Sequence, residues 1–221
     1  MWIELAHFAT IVALMLSLLQ VVAPVAGVGM GRPVWIRVGR HAALMNALLL
    51  TLAALGIIFS FLNHDFSVKY VAEHSSRSLP FFYRLTALWG GHEGSLLFWT
   101  WLLSLFTAVA VWHHWSTHPR SIPWILAVLG AVLLGFLVLV LFLSSPFERL
   151  YPIPTDGRDL NPMLQDPGMV FHPPFLYMGY VGFAIPFAFA IAALINGRIT
   201  DEWILARPMV LSTVSKISPF Q

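Results

Sequence analysis

The sequence predicts an all-α integral membrane bundle of about five transmembrane helices, and three observations carry that class. Of 221 residues, 58% are hydrophobic and only 10% charged, where soluble domains hold about a quarter charged. Charge-free apolar runs recur along the chain, each meeting the roughly 17–25 residues needed to cross the hydrocarbon. None alternates with the two-residue period of a barrel strand, so helices, which satisfy their own backbone in lipid, are the remaining solution.

The first run spans 5–30 and is interrupted only by Pro24. The second spans 41–62, the third 95–111, the fourth 122–143 and the fifth 175–195. None holds a Lys, Arg, Asp or Glu; His7 and His41 sit near span ends. The first connection carries Arg32, Arg37 and Arg40 with no acid. The third-to-fourth connection carries Arg120, and the tail carries Arg198, Arg207 and Lys216 against Asp201 and Glu202. Two longer loops, 63–94 and 146–174, mix both signs: Lys69, Arg77 and Arg84 with Asp65, Glu73 and Glu93, then Arg149 and Arg158 with Glu148, Asp156, Asp159 and Asp166. The positive-inside rule places the three-arginine connection in the cytoplasm. The amino terminus and both long loops are then expected outside, in a bacterium the periplasm.

Several classes drop out. The net charge of +2 leaves no electrostatic footprint for nucleic acid. With no cysteine, the chain holds no disulfide, thiolate metal site or covalently attached c-type haem. The apolar run before Arg32 is far longer than the core of a cleavable signal.

Chemistry is expected on the two long loops, which are rich in the Pro, Gly, Asn and Asp of ordered turns. In the second, Pro173 and Pro174 suit a helix's first turn, where a missing N–H costs nothing, so His172 is expected at the helix entrance. The positive end of the helix dipole disfavours a protonated imidazole there, and neutral imidazole is the form that ligates metals, haem iron included. The blander reading is a helix cap or a headgroup contact. In the first loop, His92-Glu93 begins like a zincin motif, but the fourth residue on is Leu96, so HExxH is absent. His92 and Glu93 point different ways from a helix, and the surrounding glycines suggest close backbone packing or a re-entrant turn. The pair reads either as polar groups beside a cofactor or proton path, or as a cap on the third span. Arg77, Arg84 and Arg158 suit anionic partners, haem propionates or lipid phosphates, which arginine binds bidentately. His114 and His118 have i, i+4 spacing, but the flanking Trp112 and Trp115 read as an interfacial aromatic belt.

Four segments together, NHDFSVKYVA from Asn63, LPFFYR from Leu79, WGGHEGSLL from Trp89 and GRDLNPMLQDPGMVFHPPFLYMGYVGF from Gly157, resemble the CcmF/NrfE/CcsA haem-handling family of cytochrome c biogenesis proteins. The resemblance covers residues 1–203. It implies a bacterial inner-membrane subunit of a cytochrome c haem lyase, taking transient b-type haem from a CcmE-like chaperone. With a CcmH-like thiol protein, it would deliver that haem to apocytochrome c. By position, His172 matches the outward histidine that ligates haem iron. Arg158, Arg77 and Arg84 are weaker propionate candidates, and His92 and Glu93 have no defined role. Residues 204–221 diverge, and the family's tryptophan-rich motif and further histidines have no counterpart. A truncated or frame-disrupted product is therefore expected, with a split protein as the alternative. The rival function is a membrane scaffold or haem-transport subunit that binds no haem itself.

Overall fold

The computed structural model describes residues 1–197; residues 204–221, expected to diverge, lie outside that range. Five helical segments are long and apolar enough to cross a membrane. They are α1 (Trp2–Gly29), α2 (Pro33–Leu62), α5 (His92–His114), α6 (Ile122–Val138, continued by a wider π turn over Leu139–Leu143) and the pair α7 (Pro167–Gly182) and α8 (Ala184–Asn196). Two short helices, α3 (Lys69–His74) and α4 (Phe81–Thr86), lie in the first long loop. Membership and order of the spans match the sequence reading, but the ends move. α2 starts at Pro33, not 41, and α5 at His92, not 95, because helices continue past the apolar run into the interface. There Arg37, Arg40 and Glu93 can reach water from a helical backbone.

In lipid, helices associate through close packing of small residues, since tails are as apolar as leucine. α1 supplies such a face, burying Ala6, Ala9, Thr10, Ala13, Ser17, Ala23 and Gly27 at three- and four-residue spacing. α2 meets it with Gly39, Ala42, Ala43, Ala47, Ala53, Ala54 and Gly56. A Cβ on Gly56 would stand 2.7 Å from the Ala6 methyl, so only glycine allows this approach. The opposite face of α1, with Phe8, Met15, Leu18 and Val22, is exposed to the bilayer.

Polar groups inside the bundle pair with one another. Gln20, fully buried, donates to the Leu126 carbonyl of α6 at 3.2 Å and accepts from Asn46 of α2 at 3.1 Å. The Trp101 indole of α5 donates to Thr51 of α2 at 2.8 Å. α1 is thus tied to α2 and α6, and α5 to α2, by hydrogen bonds rather than by charges.

The long loops share one end of the bundle with the amino terminus: Arg149 of the second bonds Glu4 of α1, and His7 stacks on Phe147 at 5.2 Å. The three-arginine turn, with Gly31 at φ +64°, lies at the opposite end.

Candidate functional site

The two long loops are interlocked. Backbone pairing joins Val68 to Arg149, with the Lys69 N–H donating to Glu148 and the Leu150 N–H to Ser67, both at 2.9 Å. Further along, the Arg158 N–H donates to the Ala72 carbonyl at 2.7 Å and that of Asp159 to Ser75 at 3.1 Å. Asp159 holds φ at +74°, a left-handed conformation that aspartate tolerates, and its carboxylate accepts from the Ser76 hydroxyl at 3.0 Å. The Arg77 and Gly157 N–H groups donate to Asp156 and hold its carboxyl below the usual carboxylate range.

Tyr70 is the knot of this platform. Its buried hydroxyl is shared between the carbonyls of Ala87 (3.1 Å) and Leu88 (3.0 Å) and accepts the Gly91 N–H at 3.0 Å. Burial raises its phenol well above the ordinary value. The glycines of Trp89-Gly-Gly-His-Glu-Gly allow close packing around it. A Cβ on Gly94 would lie 2.6 Å from Tyr70 Cζ, one on Gly91 2.8 Å from His74 Cε1, and one on Gly90 2.8 Å from Leu160. Close packing, one of the two readings of these glycines, is the one found.

The expected site residues do not form one cluster. His92 is exposed and Glu93 half-buried at the start of α5. Glu93 lines an open cleft of about 130 Å³ with Lys69, Tyr70, Glu73 and Glu148, away from His92. Lys69, hydrogen-bonded to Glu148 at 2.9 Å, is pushed up by that carboxylate. Arg84 is engaged internally, donating to the Leu62 carbonyl at 3.3 Å and to His64 Nε2 at 3.0 Å. Burial, and then the charges of Arg84 and Arg77, lower His64 below the ordinary histidine value. Arg77 spends its Nε on the Thr155 carbonyl at 3.1 Å. Arg158 is exposed, and its guanidinium has no hydrogen-bond or ion-pair partner among the described residues.

His172 departs from its expected place. α7 begins more than a turn earlier, at Pro167, capped by Asp166 accepting the Gly168 N–H. His172 and both prolines therefore lie inside the helix rather than at its entrance, and the dipole argument for a neutral imidazole loses its force. Pro173 and Pro174 instead leave the Met169 and Val170 carbonyls without helical donors. Those two carbonyls must find other partners, in water or on a neighbouring element. The imidazole is exposed and makes no hydrogen bond among the described residues. At helical spacing around it run Met169, Phe175, Leu176, Gly179 and Phe183, all exposed, with Phe175 at 67% and Phe183 at 73%. A Cβ on Gly179 would meet nothing within 4 Å. The result is an open apolar ledge with one imidazole at its head. Phe82 of α4 reaches Phe171 at 6.4 Å, and the Tyr83 hydroxyl donates to Gln165 at 2.9 Å, so the platform braces this turn.

His114 and His118 approach with ring centroids 5.2 Å apart. No group of three or more His, Asp or Glu side chains arranged to hold a metal ion occurs among the described residues.

The family model for the cytochrome c assembly protein matches residues 89–217. The chain is 45% identical over 203 residues to the cytochrome c-type biogenesis protein ccl1 of Rhodobacter capsulatus, covering 92% of this chain and 31% of that protein. It is 44% identical over 213 residues to CcmF of Escherichia coli, covering 95% and 33%. A solved structure of the cytochrome c haem lyase CcmF superposes with a TM-score of 0.78 at 28% identity, over 92% of this chain and 32% of that one. The chain thus spans about a third of the length of the curated relatives it matches.

Proposed function

The chain belongs to the cytochrome c assembly protein family, and from that premise we propose that it forms the haem-receiving platform of a c-type cytochrome maturation assembly. The observation that carries this reading is His172: an exposed imidazole without a hydrogen-bond partner among the described residues, at the head of an apolar ledge on α7. Haem is the substrate, a b-type group held transiently, and His172 is its iron ligand. Ligation there orients the macrocycle, while Phe175, Leu176 and Phe183 cover its face and exclude water. Arg158, whose guanidinium has no partner among the described residues, is the foremost propionate contact. Arg77 and Arg84, already committed within the platform, contribute less.

The interlocked loops keep the ligand turn fixed relative to the bundle, so a haem offered by a CcmE-like chaperone meets a preorganised surface. Transfer to an apocytochrome c would follow with a CcmH-like thiol protein, and the absence of cysteine in this chain leaves no competing thiol. The platform faces the periplasm and the three-arginine turn the cytoplasm, in the bacterial inner membrane. The second reading, a scaffold or transport subunit that binds no haem, draws on the bundle's middle, where the polar contacts are neutral Gln20, Asn46 and Thr51. That interior gives no ionisable path, which favours a scaffold over a transporter.

The test is capture of haem-loaded chaperone by the protein in membranes. The His172→Ala variant is expected to lose captured haem absorbance while still inserting at wild-type levels. Unchanged capture with unchanged absorbance would leave only the scaffold.

A further inference from the structure

The end of the bundle opposite the platform carries a site of its own. Arg37, Arg40 and His41 share one face of α2 at i, i+3 and i+4 spacing. The Arg40 guanidinium lies over the Trp115 ring at 4.6 Å and the Trp112 ring at 5.8 Å, both from the end of α5. Its Nε is buried and has no acceptor among the described residues. Trp115 is itself anchored, packing with Ile36 against Ala43, Val111, Ile122 and Leu126. The four ion pairs among the described residues all fall at the platform end, so no described carboxylate neutralises these arginines. Stacked on indole and without a carboxylate partner among the described residues, the guanidinium leaves its outer N–H donors to an anion. Depth selects the kind of acceptor: Trp35, Trp112 and Trp115 mark the level where headgroups lie.

We propose that Arg37, Arg40, His41, Trp112 and Trp115 form a binding site for the phosphate of an anionic phospholipid, seated between α2 and α5. Arg40 donates to the phosphate from its planar edge, Arg37 adds charge at the rim, and the acyl chains lie along the exposed Met45 and Leu48 of α2. The site does not depend on the haem reading.

The full chain, purified in mild detergent, would be titrated with phosphatidylglycerol and with phosphatidylcholine and read by native mass spectrometry. Retained phosphatidylglycerol adducts are expected, with phosphatidylcholine lost at low activation. Arg40→Gln should weaken retention at least about tenfold, the loss expected when hydrogen bonds to a charged group disappear. Arg40→Lys should retain part of it, and Arg120→Gln, elsewhere at the same end, all of it. Trp112→Leu, an exposed change that leaves folding intact, should also weaken retention. Equal retention of both lipids, or of the wild type and Arg40→Gln, overturns the site. Displacement of the lipid by millimolar inorganic phosphate overturns the assignment to a lipid in favour of a free anion.

Discussion

Replacing Gly94 with alanine probes the platform at its tightest point. The added methyl would lie 2.6 Å from Tyr70 Cζ and inside the contact distance of the Leu88 carbonyl oxygen. Neither neighbour yields cheaply. The carbonyl is backbone, and the phenol is held by Ala87, Leu88 and Gly91. Overpacking of this kind costs about 1–3 kcal/mol, and displacing the phenol orphans the half-buried Gly91 N–H for up to about 1–3 more. Since the two costs overlap, a net loss of about 2–4 kcal/mol is expected. At about 2–4 °C per kcal/mol for a chain of this size, that lowers the melting temperature by about 5–15 °C. The assay is thermal unfolding in detergent, alongside trypsin cleavage after Lys69 and Arg77, which should quicken as the loops part. Gly135→Ala and Gly179→Ala, where a Cβ meets nothing within 4 Å, serve as controls and should be neutral. Equal melting and cleavage for Gly94→Ala and Gly135→Ala would refute the interlock.

Other consequences are as direct. His64 has a lowered pKa, so the unfolded loop binds the proton more readily than the folded one. Platform stability is full above the ordinary value of 6.5 and falls as pH drops below it. Trypsin protection at Arg77 should decline as pH drops below 6.5, and His64→Gln should flatten that decline; a pH-independent wild type would contradict it. Gly56→Leu would drive a side chain into Ala6 at the α1–α2 contact and should sharply reduce resistance to SDS unfolding, whereas Leu48→Ala, on the exposed face, should not. Gln20→Leu removes both hydrogen bonds of the buried amide; interhelical bonds of this type average about 0.6 kcal/mol, so a loss near about 1 kcal/mol is expected in the same assay, and a gain in stability would contradict the bridging role.

The spans were readable because a bilayer imposes a length and forbids charge, and both leave their mark on one segment at a time. Their ends were not, since Arg37, Arg40 and Glu93 look like loop residues until the helix is seen carrying them to the interface. His172 was found from its segment, yet its setting was misjudged: Pro173 and Pro174 fit a first turn equally well, and only Asp166 capping Gly168 shows the helix starting earlier. Tyr70 escaped the sequence reading altogether. A lone tyrosine carries no spacing signal, and its partners lie 17–21 residues away. The glycines that receive it were the one available hint. The contact between Arg84 and His64 was hidden for the same reason, being made only by the folding of the loop.

The central claim is that the His172 imidazole ligates haem iron. Ferric haem titrated into the full chain in detergent, followed by visible absorption and electron paramagnetic resonance, tests it most directly. The account predicts a histidine-ligated iron signature that vanishes in His172→Gly and returns when free imidazole is added. A signature identical in wild type and His172→Gly, or one that imidazole does not restore, would contradict it.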